Sequence, residues 1–508
     1  MIKSNALITA TSRFYILLLA SCLILFLFLG TRDLWTQEHR WADIVLGMLY
    51  RQDYTHPYLG QDVYYDKPLL SYWLIILCYK LTHSLTLFTL RLPSALSGLL
   101  AIVSLYSLGC NLKDKHFGLL SGWMLLTTFY FVFWARTSSA DMLNMAGSLC
   151  AVAWYFQSKH RAGFFEYAVF FGILAFTSLC KGLVGAVVPI MAITVDLGLS
   201  HTWKKHLRLS SVFGCLLGIF LYMIPFLLSL SAKTTSYNAN GLYDVYRENI
   251  LRYFQPFDHQ GPWYTYFIFL PIYLLPWTLF LIPAIFSLKT RWKILSLNSK
   301  WIALTTLLLF LFFTCSGSRR NYYILPVVPF AILFIADWLR SIHFFHQSWF
   351  YRILLISYMG ILTTITITAW HDHVIGTNAF AKTLRSQATQ IKPWESWHVV
   401  VLDAGEKLNF YLMLSPNTAH FSLAGDVRDH QSTASLLKAW PILAQKPKDT
   451  IFITRKEYAP LLKNFFIGYQ LIEYQPTHYT WLQKNKDNTQ VAYIPLCQDN
   501  CRPNNIPT

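Results

Sequence analysis

Residues 31–71 read TRDLWTQEHRWADIVLGMLYRQDYTHPYLGQDVYYDKPLLS, a polar stretch that directly follows an apolar segment at 14–30. Roughly forty residues carrying Glu, Asp, Lys, Arg and His at the end of an apolar segment are costly to keep at a bilayer edge unless they act there. The rest of the chain shows why the bilayer is the right frame. Of its 508 residues 54% are hydrophobic and only 13% are charged. A soluble globular chain carries roughly 25% charged residues, so this composition specifies a multi-span membrane protein. The first apolar segment follows Lys3 and Arg13 but has no small-residue cleavage pattern after it, so it is expected to stay as the first helix.

The net charge of +17 is spread between apolar segments. Scattered Lys and Arg fit membrane-flanking loops and anionic lipid better than nucleic acid, which is not an expected partner. Seven of nine cysteines lie in apolar segments as small core residues; Cys497 and Cys501 form either a disulfide, if the tail lies outside the cytoplasm, or two idle thiols.

Apolar segments occur near 14–30, 92–110, 117–134, 141–156, 163–180, 182–198, 209–230, 263–286, 301–316, 322–339 and 353–370. Read as eleven spans, with the short Pro68–Leu81 segment kept at the membrane surface, they place nearly all basic loops on the side of the N-terminus. That is the cytoplasmic side by the positive-inside rule. The opposite, outer face then collects the 31–67 loop, Arg136 to Asp141, Lys181, the 231–262 loop, Arg319, Arg320 and the tail. The expected architecture is an all-α polytopic domain over 1–370 with juxtamembrane helices, and a small soluble α/β domain over 371–508. In that tail VVVLDAG, DTIFITRKEY and TQVAYIPL read as strands, with helices near Ser435–Ala444 and Tyr458–Phe465.

In the first loop Trp41, Ile44, Val45, Met48 and Leu49 recur at helical spacing, predicting a helix after a Thr36 N-cap that lies on the membrane with Glu38, Arg40 and Asp43 on its polar side. A second such element is expected from about Tyr243 to Tyr253. Asp66-Lys67-Pro68 holds an acid and a cation on stiffened backbone at the bilayer surface. Lys67 suits a phosphate, and Asp66 offers oxygen to a divalent cation; the bland alternative is a snorkelling anchor. Asp141 opens an apolar span, as a site or as a helix cap. Lys181-Gly182 interrupts an apolar run, and Arg319-Arg320 can grip phosphate or anchor at the interface. His56, His259, His371 and His373 lack metal-site spacing. No nucleotide-binding glycine motif is present, so no nucleotide cofactor is expected.

Taken together, LWTQEHRWADIVLGML, YYDKPLLSYW, WARTSSADMLN, SLCKGLVGAVVP, RYFQPFDHQGPWYTYFIFLPIYLLPW and SGSRRNYYILPVVPF resemble, in order, the blocks of bacterial membrane glycosyltransferases of the C-type fold. The nearest relatives by these motifs are the lipid A 4-amino-4-deoxy-L-arabinose transferases and the protein O-mannosyltransferases. The resemblance implies transfer of a sugar from a polyprenyl phosphate carrier to lipid A or another envelope acceptor at the inner membrane. Protein O-glycosylation is the alternative, and a lipid-linked sugar transporter is the reading from a different class. It assigns catalysis to Glu38, Asp141 and Lys67, carrier or sugar binding to Arg40, Tyr65, Lys67, Lys181, Arg319 and Arg320, and an optional divalent metal to Asp66. One departure matters: Gln37 stands where the family carries its first acid. An ionised phosphate acceptor needs no base, so the substitution leans toward a phosphate acceptor.

Overall fold

The computed structural model describes residues 2–35, 37–60, 62–64, 67–161, 163–229, 241–404, 407–415, 418–421, 447–462, 466, 468–473 and 490–495. Tyr65, Asp66, Thr36, the expected 435–444 helix, Cys497 and Cys501 lie outside them. The chain forms two compact units: residues 1–30, 53–57 and 62–366, and residues 31–52, 58–61 and 367–508. The C-terminal break falls at 366/367, and residues 31–52 and 58–61 of the first loop group with the tail.

The first unit is helical. Among the described residues six helices are long and apolar enough to cross a membrane, or up to eight counting each bent pair as one span, against the eleven expected; Ser12–Phe26 and Val184–Ser200 are apolar but shorter. Two of the eleven expected spans are therefore not straight. Lys115–Leu126 and Phe129–Ala135 meet at 73°, and Thr265–Tyr273 and Trp277–Arg291 at 114°. At the first break the Thr127 and Thr128 hydroxyls donate to the Met124 carbonyl, at 3.2 and 2.8 Å, competing with the helix ladder. At the second, Pro276 has no N–H to continue it. Helix Leu70–Thr82 has 13 residues, about 20 Å of helix against a core of roughly 30 Å, in keeping with a surface element.

Burial separates a centre from a lipid-facing edge. Asn321–Ser341 is 89% buried over its apolar window, whereas Leu209–Leu228 is 17% buried. The second packs on Phe164–Lys181 through Gly214 and Gly218, where an added Cβ would come within 2.7 Å of Tyr167 and 2.8 Å of Phe171. Small residues four apart let the two backbones close, the usual membrane substitute for a hydrophobic driving force. The first helix, Ile2–Phe26, is finished by Arg136, whose guanidinium donates to the Ile24, Leu25 and Leu27 carbonyls at 2.6, 3.0 and 2.7 Å.

In the second unit, helix Glu38–Arg51 buries Ala42, Ile44, Val45 and Met48 and packs on helix Lys407–Leu412 and segment Tyr58–Leu59. Its apolar face is covered by protein, not left to lipid as the sequence suggested. The tail carries a mixed sheet of β1 (His398–Leu402), β2 (Ala419–Phe421), β3 (Thr450–Arg455), β4 (Tyr469–Glu473) and β5 (Gln490–Pro495), in the order β2-β1-β3-β5-β4. β1 runs parallel to β2 and β3, with Val400 opposite Ala419 and Phe452, while β5 is antiparallel to β3 and β4. Both faces are covered: Val401, Ile451, Ile453 and Ile494 pack with Leu384 of helix Thr377–Ile391, and Val400, Phe452 and Tyr493 with Tyr458 and Phe466. Burial on both sides is why β1, β3 and β5 stand out as unbroken apolar runs.

Candidate functional site

The first unit contains a cavity of about 470 Å³ that joins a charged wall to an apolar trough. Lys67, Lys181 and Arg252, with Glu248 paired to Arg252, form the charged wall; Val184, Val187, Pro225, Phe226, Phe312 and Phe313 line the trough. Separate segments deliver each cation.

Lys67 sits just before helix Leu70–Thr82. Lys181 ends helix Phe164–Lys181 and is ion-paired with Asp141. Its ammonium also lies 4.7 Å from the Tyr323 ring centroid. Asp141 itself lies in the first turn of helix Ala140–Ser158, capped by Ser139, whose hydroxyl accepts from the Asp141 N–H at 3.2 Å. A carboxylate there is favoured by the helix dipole. Both halves of the Asp141–Lys181 pair are nearly buried, and losing one would strand the other's charge. The chain turns away from Lys181 at Gly182, with φ of +122°, where a Cβ would fall 2.4 Å from Asn249 Oδ1. Only glycine suits that backbone and that approach. Asn249 in turn accepts from the Leu183 N–H at 2.8 Å, tying Lys181 to the segment that carries Arg252.

That segment is the second short element expected from the sequence. It forms as Gly241–Tyr246, a π-helical turn Arg247–Leu251, and Arg252–Phe254. π-turns recur at functional sites, where the extra residue re-aims side chains. Arg252 is 8% exposed and spreads its guanidinium over four partners. They are Glu248 at 2.5 Å, Asp258 at 2.8 Å, Ser318 at 3.2 Å and the Tyr323 hydroxyl at 3.2 Å. Asp258 also meets His259 at 3.2 Å, and His259 Nδ1 meets Arg320 at 3.2 Å. Sequence reasoning missed Arg252 and Tyr323; the signal was Arg252 at the end of the second amphipathic element.

Arg319 and Arg320 do not line the cavity. Arg319 donates to the Thr314 and Gly261 carbonyls, and Arg320 to the Tyr322 hydroxyl at 2.7 Å, so both knit loops together. In the cavity wall the third cation is Arg252. Glu38 and Arg40 belong to the second unit. Glu38 is fully buried and accepts from the Trp35 N–H at 2.8 Å and from Arg32 at 3.1 Å, whereas Arg40 is exposed. Tyr65 and Asp66 lie outside the described residues. Among the described residues no three His, Cys, Asp or Glu side chains gather as a metal site. His56, His259 and His371 each sit beside an aspartate instead. At Asp53 burial alone would raise the carboxyl. The Thr55 N–H and hydroxyl and the His56 ring outweigh it and hold Asp53 below its ordinary 3.8.

Residues 66–228 match the family described as dolichyl-phosphate-mannose-protein mannosyltransferase. An undecaprenyl phosphate-alpha-4-amino-4-deoxy-L-arabinose arabinosyl transferase of Pseudomonas fluorescens is 29% identical over 332 residues, 63% of this chain and 58% of that protein. The Pseudomonas aeruginosa counterpart is 25% identical over 63% and 58%. The chain thus spans less than two thirds of the length of these relatives. The crystal structure of ArnT from Cupriavidus metallidurans bound to undecaprenyl phosphate superposes with a TM-score of 0.68 at 16% identity, covering 95% of this chain and 98% of that one. The Archaeoglobus fulgidus oligosaccharyltransferase gives 0.53 at 10% identity, over 92% and 73%. The chain is a multi-pass membrane protein with the fold of these enzymes, and it resembles the aminoarabinose transferases among membrane glycosyltransferases.

Proposed function

We propose that this chain transfers a sugar, aminoarabinose or a close analogue, from a polyprenyl phosphate to lipid A at the periplasmic face of the inner membrane. The observation that carries this reading is one cavity joining three cations to an apolar trough. A polyprenyl phosphate has that same division, an anionic head and a hydrocarbon tail.

In a one-step displacement an acceptor oxygen bonds to the sugar's anomeric carbon while the bond from that carbon to the carrier phosphate breaks. The electron pair leaves on the phosphate, giving free polyprenyl phosphate and inversion at carbon. Lys67, Lys181 and Arg252 face the charge that grows on this leaving group, beside an apolar trough. Asp141 pairs with Lys181 and aims it. A lipid A phosphate attacks already ionised, which accords with Gln37 in place of an acid. Glu38 is the residue to test for orienting or deprotonating an acceptor, with Arg40 beside it in sequence. Tyr65 remains a proposed carrier-side contact from sequence, with Arg252 added by geometry, while Arg319 and Arg320 hold the loops beside the cavity. A divalent cation at Asp66 is a further proposal, tested by transfer with and without EDTA. The same-side basic loops favour a cytoplasmic N-terminus and a periplasmic tail domain.

A second reading, protein O-glycosylation, is favoured by the family description matched at 66–228. Purified full-length chain, given undecaprenyl phosphate-linked aminoarabinose and either lipid A or an unfolded envelope protein, separates the two. A sugar-sized mass increment on lipid A alone is expected. An increment on protein alone overturns the lipid reading.

A further inference from the structure

The helix that presents Lys181 at its C-terminus borders a second cavity, of about 310 Å³, at its N-terminal end. Glu166 and Lys181 are fifteen residues apart, so roughly 22 Å of helix separates the two cavities. Four further helix ends complete the second one, contributing Lys159, Leu197, His206 and Cys215 among others. Nothing in the sugar-transfer reading uses it.

We propose that this cavity binds an anionic phospholipid, its phosphodiester held at the basic rim and an acyl chain laid along helix Leu209–Ser229. The inference is independent of the proposed transfer reaction.

Charge points to an anion. Inside, Lys159 is matched by Asp196, whose two oxygens accept from the ammonium at 3.1 and 3.0 Å, with the Tyr155 hydroxyl donating at 2.8 Å. Glu166, the other carboxylate, accepts from the Gly163 N–H at 3.1 Å. At the rim Lys205 and Arg208 are exposed, and their charges reach His206. Lys159, Lys205 and Arg208 therefore outnumber the two carboxylates, Asp196 and Glu166. The Tyr167 hydroxyl and His206 Nδ1, 2.9 Å apart, add polar groups that can turn toward a headgroup.

Shape points to a lipid rather than a free ion. Val212 and Cys215 belong to the cavity wall, and the outer face of their helix continues as Phe213, Leu216 and Phe220, between 54% and 60% exposed. The Gly214–Gly218 packing against Tyr167 and Phe171 leaves that apolar face outward. Trp203, half exposed beside the lysines, supplies the interfacial aromatic found at headgroup depth. A basic pocket between helix ends, opening on an apolar strip, is how membrane proteins retain acidic lipids.

Native mass spectrometry of the full chain in detergent, mixed with phosphatidylglycerol or phosphatidylcholine, tests this. A double variant, Lys205→Glu with Arg208→Glu, alters exposed side chains only. Lys289→Glu with Lys293→Glu, also exposed, controls for overall charge. The wild type should retain one phosphatidylglycerol and no phosphatidylcholine. The rim variant should lose that retention at least tenfold while the control keeps it. Equal retention of both lipids, an unaffected rim variant, an equally weakened control, or displacement of the lipid by millimolar inorganic phosphate would each overturn the proposal.

Discussion

The two compact units use the same residue types for different ends. In the helical unit Lys67, Lys181 and Arg252 arrive from distant segments and share the wall of one cavity. In the other unit the charges hold chain to chain. Asp33 accepts from the Tyr411 hydroxyl at 3.0 Å and from the Thr377 N–H at 2.6 Å, while its own N–H donates to Asp372 at 2.9 Å. Glu38 is likewise taken up by Arg32 and the Trp35 N–H. A charged loop is thus not one structural object: part of it supplies a cavity-lining cation, and part of it fastens the first loop to the tail domain.

The sharpest way to break this contrast is at the cavity. Lys67→Ala and Arg252→Ala should each lower the rate of sugar transfer by about 10²–10³, the usual loss when a donor facing developing charge is removed. Arg252→Ala should also lower the thermal midpoint, because Arg252 has four protein partners. An assay of carrier turnover beside a melting curve reads both.

Next comes Asp141→Asn. It strands a nearly buried ammonium, and the expected loss is about 3 kcal/mol of stability together with reduced transfer. A paired change, Asp141→Leu with Lys181→Met, should recover much of the stability and none of the activity. Recovery of both would remove Lys181 from the mechanism.

In the second unit, Asp33→Ala should cost about 2 kcal/mol, since it leaves the Tyr411 hydroxyl and an N–H without their acceptor. Proteolysis of the tail should rise accordingly. Glu38→Gln keeps an acceptor for the Trp35 N–H and loses the ion pair. With a phosphate acceptor, transfer should stay within about tenfold of wild type. A larger fall with an altered pH profile would make Glu38 a base.

The smallest effect belongs to Asp53. Its carboxyl lies below the ordinary 3.8, so the stability it contributes is present above that value and disappears as pH falls through the lower folded one. The melting midpoint of the wild type should therefore drop below about pH 4, and Asp53→Asn should flatten that drop.

Much of this was legible in the sequence because membrane helices and buried strands leave long apolar runs. The helix at 38–51 followed from Ile44, Val45 and Met48, although protein and not lipid covers that face, and the three buried strands from β-branched runs. Strands Ala419–Phe421 and Tyr469–Glu473 escaped because the first has three residues and the second is partly exposed, so neither forms an apolar run. The bends at 127–128 and 274–276 escaped because hydropathy does not register a broken hydrogen-bond ladder. At the site, Lys67, Lys181 and Asp141 were visible as charges interrupting apolar sequence. Arg252 was hidden in a loop already rich in charge, and Arg319 and Arg320 were prominent there although the fold spends them on carbonyls and a hydroxyl. Charge in sequence says that something must be satisfied; only geometry says whether by ligand or by protein.

The most direct test is the mass of lipid A from cells carrying the wild-type gene, a deletion, or Lys67→Ala at equal protein level. The account predicts one sugar-sized increment in the wild type, absent from both others. An increment that persists in the deletion or with Lys67→Ala would contradict it.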